Sequence, residues 1–166
     1  MSCWRPPRSN AGLNGWLVTL ISTYVEERDL GIVHFNMLFR MPGRRRIPDL
    51  FVVKKENLRR LRPTALDGPA DLIIEIVSPD SLSRDWREKY LEYESAGVGE
   101  YWVIDPQSQL VECYTLGADR HFRPNAAKDD KIVSTVLEGF YLRPSWLWQE
   151  PLPRVAGVLR EMGVAL

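Results

Sequence analysis

The sequence predicts an α/β fold, and three observations carry that expectation. Near the N-terminus lies an amphipathic helical pattern; several later segments of strand length are rich in Val, Ile and aromatic residues; and a second helical pattern separates two of those segments. A chain of 166 residues with 45% hydrophobic content can bury one substantial core, and its length demands no second. A single domain over 1–166 is therefore expected.

Leu13, Leu17, Leu20, Ile21, Tyr24 and Val25 recur at three- and four-residue intervals, the signature of a helix burying one stripe, and Gly31 is placed to end it. The segment from Gly31 to Phe39 reads as one strand. Pro42 and Gly43 turn the chain, and Arg44 to Arg46 lead into IPDLFVVKK at 47–55, predicted to form an antiparallel neighbour of the first strand. Residues 56–69 contain Pro63, Gly68 and Pro69 and read as a connection with one helical turn.

DLIIEIV at 71–77 is apolar on both parities, which suits a strand buried on both faces. Glu75 at its centre needs a reason, because a buried ionised carboxylate is costly unless it is hydrogen-bonded, paired or bound to a metal. Ser78, Pro79, Asp80, Ser81 and Ser83 supply turn and cap chemistry before a helix over 84–96, with Trp86, Tyr90 and Tyr93 as its aromatic stripe. Arg87, Glu88, Glu92 and Glu94 mark its far side, and Gly97 closes it. EYWVIDP at 100–106 and LVECYTL at 110–116 read as a central strand and a half-buried return strand. Beyond Gly117 the pattern weakens, with a late strand in IVSTVLEGF and a short helix at the C-terminal end.

Lys plus Arg and Asp plus Glu are 22 each, so any polyanion surface must come from local clustering. Between Arg40 and Arg62 there are nine cationic side chains against two acidic ones; Arg44, Arg45, Arg46, Lys54 and Lys55 are the candidate nucleic-acid contacts. A solvated edge with Arg stems lying on apolar surface fits the same run. Cys3 and Cys113 lack metal-ligand spacing, and His34 and His121 are the only imidazoles. A metal would thus rest on carboxylate oxygen, which favours Mg²⁺ or Mn²⁺ over zinc. No apolar run approaches the roughly 18 to 20 residues that span a bilayer. The opening MSCWRPPRSN has no secretory apolar centre, so a cytoplasmic protein without a membrane partner is expected.

Residues of equal parity share a strand face, so Asp49 travels with Phe51 and Val53, and Glu75 with Ile73 and Val77. If the two strands are neighbours, the carboxylates converge at one end, where a metal would offset their repulsion. Asp49 after Pro48 also suits a plain turn into its strand. On the second helix, Asp85 and Lys89 form an i, i+4 pair, with Tyr93 four residues further. The ammonium could orient a water and stabilise charge on phosphate, or the pair could be an ordinary surface ion pair. Asp71 and Asp105, at strand ends, read as structural.

DLIIEIVSPDSLSRDWREKYLEYESAGVGEYWVIDP and RRRIPDLFVV resemble the Uma2 family, also described as the DUF820 restriction endonucleases, within the PD-(D/E)XK nuclease superfamily. The likeness covers most of the chain and includes SP, D…K…Y, AGV and EYW…DP in order. It implies a restriction-endonuclease-like mixed β-sheet flanked by helices, and a Mg²⁺-dependent endonuclease acting on DNA. By position, Asp49 is similar to the PD aspartate and Glu75 to the acid of (D/E)XK, with the backbone carbonyl of Ile76 as a third metal ligand. Val77 occupies the usual lysine position; the resemblance supplies that lysine from the following helix, making Lys89 the candidate and Asp85 its companion.

A second departure lies at the N-terminus, where relatives carry an extra segment with an E-x-x-D-G-like motif and then a histidine. Asn10 stands at that histidine's place, so the chain reads as an N-terminally shortened relative, with Glu26 or Glu27 as the available replacement acids. Superfamily members often act as dimers, so a homodimer is a further expectation. The competing reading is a catalytically inactive nucleic-acid-binding or assembly protein on the same scaffold. Glycoside hydrolysis fits poorly, since no aromatic sugar cleft with a second defined acid is apparent.

Overall fold

The computed structural model describes residues 10–78 and 83–166, with the side chains of 10 and 83–85 outside that description. Helix α1 (Asn10–Glu27) buries Leu13, Trp16, Leu17, Leu20, Ile21, Tyr24 and Val25, the stripe its spacing predicts together with Trp16. The helix ends before Gly31, through Asp29 at φ 51° and a hydrogen bond from Leu30 N to Val25 O. Gly31 begins β1 (Gly31–His34), where an added Cβ would fall 2.2 Å from the Val53 carbonyl oxygen. Its role is close strand approach rather than helix termination.

The single strand expected over 31–39 is two. Asn36 adopts a left-handed φ of 52° and redirects the chain into β2 (Leu38–Met41) of a different sheet. Gly43, at φ 73°, turns β2 into β3 (Arg44–Arg46), and β4 (Leu50–Lys54) follows. A 3-10 helix over Lys55–Arg60 supplies the expected helical turn, but β5 (Ala65–Asp67) then pairs in parallel with β2, a strand the Pro- and Gly-rich composition concealed. Next come β6 (Leu72–Ile76), α2 (Ser83–Ala96), β7 (Glu100–Asp105) and β8 (Leu110–Leu116). Residues 79–82, and with them most of the expected turn and cap chemistry, lie outside the described residues. The chain finishes with β9 (Phe122–Pro124), β10 (Ile132–Val133), β11 (Tyr141–Leu142), α3 (Pro144–Leu147) and α4 (Val155–Glu161).

The main sheet has the order β1-β4-β6-β7-β8-β9; β6 and β7 are parallel, with α2 in their crossover, and the other neighbours are antiparallel. A three-stranded sheet, β3-β2-β5, packs beside it, and β10 pairs with β11. The main sheet is mixed and flanked by helices. Leu50, Val52, Leu72, Ile74, Trp102 and Ile104 face α1 and α4 in the larger apolar cluster. Phe51, Val53, Ile73, Tyr101 and Val103 face the other way, toward Tyr93 of α2. β6 is therefore covered on both faces, as its uninterrupted apolar run requires. Gly97, at φ 84°, closes α2 while Val98 N donates to Tyr93 O. Among the described residues, no helix is long and apolar enough to cross a membrane.

Candidate active site

Strands β4 and β6 pair with Leu50 opposite Ile74 and Phe51 opposite Ile73. The ladder ends there: Asp49 lies on the bend just before β4, close enough for its charge to act on Glu75, while Glu75 follows Ile73 on the β6 face turned toward α2. A hydrogen bond fixes the approach: Ile76 N donates to Asp49 Oδ2 at 2.7 Å. Asp49 is half-buried at the mouth of the strand pair. The two acids nominated on parity thus meet at one end of two adjacent strands.

Glu75 is only 6% exposed. Burial pushes its pKa above the ordinary carboxylate range, and the nearby Asp49 charge adds to the rise; the Lys89 ammonium and a hydrogen bond from Tyr93 oppose it. Lys89 Nζ lies 3.2 Å from Glu75 Oε2, and the Tyr93 hydroxyl donates to Oε1 at 2.7 Å. Four residues apart on α2, Lys89 and Tyr93 point the same way and address one carboxylate. Burial and the adjacent Glu75 charge raise the Tyr93 pKa, so its hydroxyl keeps its proton and remains a donor. Lys89 is therefore not confined to a surface pair with Asp85, whose side chain lies outside the described residues. Sequence reasoning placed Tyr93 in the core stripe and missed its bond to Glu75; the available signal was its i+4 spacing from Lys89. Val77, at the usual lysine position, packs against the apolar cluster on the α2 side.

The candidate phosphate contacts are differently placed. Arg44 and Arg46 both donate to Glu92 on α2, Arg44 Nη1 at 2.5 Å and Arg46 Nε at 2.8 Å, and Arg46 also lies 3.9 Å from Glu88. Side-chain hydrogen bonding from Arg46 holds the Glu92 pKa below its ordinary value. Lys54 pairs with Glu56 at 2.7 Å and Lys55 with Asp29. These two lysines sit at the far end of β4 from Asp49, about 16 Å along the strand. Arg45 is exposed and has no ion pair among the described residues. The helix face expected to meet solvent is engaged as well, since Glu92 holds the hairpin and Glu94 accepts from Phe122 N at 2.6 Å.

Glu26 and Glu27 are exposed at the end of α1, beside the Lys55–Asp29 pair, and the structure does not bring them to Asp49. Asp71 accepts from Lys54 N at 2.7 Å and Asn57 Nδ2 at 2.8 Å, and Asp105 caps its turn through Gln107 N at 2.9 Å. Glu100 is a buried acid that sequence reasoning passed over as part of a strand. On the α1 side of the sheet, its Oε2 accepts from Ser134 Oγ at 2.6 Å and its Oε1 from Thr135 N at 3.3 Å.

Among the described residues, no three His, Cys, Asp or Glu side chains gather as a metal-ligand cluster. A cation beside Asp49 and Glu75 would be held by two carboxylates, completed by main-chain oxygen and water. That donor set fits Mg²⁺, which keeps several waters and needs only one or two protein carboxylates.

The family model Uma2, described as "Putative restriction endonuclease", matches residues 4–145. Among solved structures, the chain is similar to the crystal structure of a putative nuclease belonging to DUF820 from Anabaena variabilis ATCC 29413. The TM-score is 0.72 at 18% identity, covering 89% of this chain and 84% of that one. At that identity the likeness speaks for a shared fold. No curated protein matches the chain.

Proposed function

The chain belongs to the Uma2 family, and on that premise we propose that it is a metal-dependent endonuclease hydrolysing phosphodiester bonds in DNA. The observation that supports this best is the approach of Asp49, bonded to the Ile76 amide at the entry to β4, to Glu75 on β6, with the Lys89 ammonium 3.2 Å from Glu75. Asp49, Glu75 and the carbonyl of Ile76 are the groups that would hold Mg²⁺ or Mn²⁺. Bound there, such an ion polarises a phosphate oxygen and lowers the pKa of water.

The protein's own groups do the rest. The Ile76 amide fixes the Asp49 carboxylate, so its orientation is set before substrate arrives. Lys89, one-fifth exposed, brings a positive charge to the rim of the site, where it orients the attacking water and stabilises charge developing on the phosphate. Exposed Arg45 is the cation of the 44–46 run best placed to meet a phosphate of the DNA backbone.

Cleavage of plasmid and linear DNA with Mg²⁺ or Mn²⁺, by the wild type and by Asp49→Ala, tests the proposal. Loss of cleavage in a variant of unchanged melting temperature is expected. Equal rates would remove the assignment, and salt-sensitive DNA binding indifferent to chelator would favour the inactive-scaffold reading.

A further inference from the structure

One helix addresses both oxygens of one carboxylate, and the two contacts differ in kind. Lys89 reaches Glu75 Oε2 from a flexible stem whose side chain is 20% exposed. Tyr93 reaches Oε1 from a residue with no exposed surface, its ring packed between Tyr101, at 5.0 Å between centroids, and Phe39, at 6.0 Å. The buried ring holds its hydroxyl on Oε1, whereas the contact at Oε2 comes from a partly exposed side chain.

We propose that Tyr93 is a positioning residue that restricts Glu75 to donation through one oxygen, reserving Oε2 for the cation and thereby setting which divalent ion the site prefers. This deepens the metal-dependent reading above and rests on it. Mg²⁺ demands near-ideal octahedral geometry with short bonds, which single-oxygen carboxylates serve well; Ca²⁺ takes more ligands at longer range and accepts chelation by both oxygens of a carboxylate. Tethering Oε1 therefore disfavours Ca²⁺. With Phe at position 93 Oε1 loses its tether, both oxygens become available to a cation, and Ca²⁺ gains on Mg²⁺. A tyrosine that merely fills space predicts otherwise: its loss would lower stability, or scale both affinities alike.

Calorimetric titration of the full chain with Mg²⁺ alone and with Ca²⁺ alone, for the wild type and Tyr93→Phe, reads the effect directly. The Mg²⁺-to-Ca²⁺ affinity ratio is expected to fall about tenfold, the scale of a lost hydrogen bond to a charged group. An unchanged ratio in a wild type that binds Mg²⁺ overturns this inference alone, and a wild type that takes up neither ion overturns the metal-dependent reading with it. Infrared difference spectra of the wild type, labelled with ¹³C in the glutamate carboxyls only, give a second test that does not depend on the variant folding. On adding Mg²⁺, the wide separation of carboxylate stretches that marks single-oxygen coordination is expected. The narrow separation of a two-oxygen chelate overturns the proposal.

Discussion

Arg46 grips Glu92 through two guanidinium N–H groups, Nε to Oε2 at 2.8 Å and Nη2 to Oε1 at 3.0 Å, and so joins the β2–β3 hairpin to the helix that carries Lys89 and Tyr93. Glu92→Ala is expected to cost about 1–3 kcal/mol, as for a charge-assisted two-pronged contact. A double-mutant cycle with Arg46→Ala in urea denaturation checks it, and strict additivity would refute it. The pH dependence has a definite sign. The folded carboxylate titrates below its ordinary value, so the contact contributes fully above that value and is lost as pH falls through the folded pKa.

Lys89→Met leaves Glu75 buried without its ammonium. A stability loss of about 1–3 kcal/mol is expected, because the remaining carboxylate has lost its counter-charge. Single-turnover DNA cleavage should also fall about a hundredfold or more, as when a charge-stabilising donor is removed. A variant as stable and as active as the wild type would exclude both roles for Lys89.

Arg45→Ala should leave the fold untouched, within about 0.5 kcal/mol in a melting experiment, because the side chain is exposed and unpaired among the described residues. Its effect belongs to DNA affinity. The slope of log affinity against log salt is expected to shrink by about one unit. Arg44→Ala and Arg46→Ala should instead show mainly as lost stability, through Glu92. An identical response from all three variants would contradict this division.

Glu100 offers a test away from the candidate site. Burial raises its pKa, and hydrogen bonds from Ser134, Thr135 N and Cys113 offset only part of that rise. The folded protein therefore holds the Glu100 proton more tightly than the unfolded chain does. Its stability contribution is complete below the unfolded pKa and fades as pH rises through the folded one. Glu100→Gln should abolish that decline, so the stability of the variant relative to the wild type rises with pH in urea titrations. Parallel curves would show that Glu100 does not titrate in this range.

Local pattern disclosed much of the frame. The period of α1 and the doubly apolar β6 follow from which side chains must be hidden; parity grouped Asp49 with Phe51 and Glu75 with Ile73, but their convergence waited on strand order, and β8 packs apolar side chains on both faces rather than alternating. What escaped depends on partners distant in sequence. A run of arginines is visible at 44–46, but Glu92 lies on another element, so the chain does not announce that two of those charges are already engaged. Tyr93 looked like core because it is core, and its hydroxyl gains meaning only when β6 lies beneath it. The bend at Asn36 and strand β5 were hidden because a single left-handed residue and a tertiary pairing override propensity.

Seven side chains bury α1 in the sheet, whereas Tyr93 is the only fully buried residue among the described side chains of α2. Unequal anchoring means unequal opening: amide protons in the middle of α2 should exchange with solvent far sooner than those in the middle of α1. Exchange in the middle of α2 would thereby report how firmly Lys89 and Tyr93 stay on Glu75.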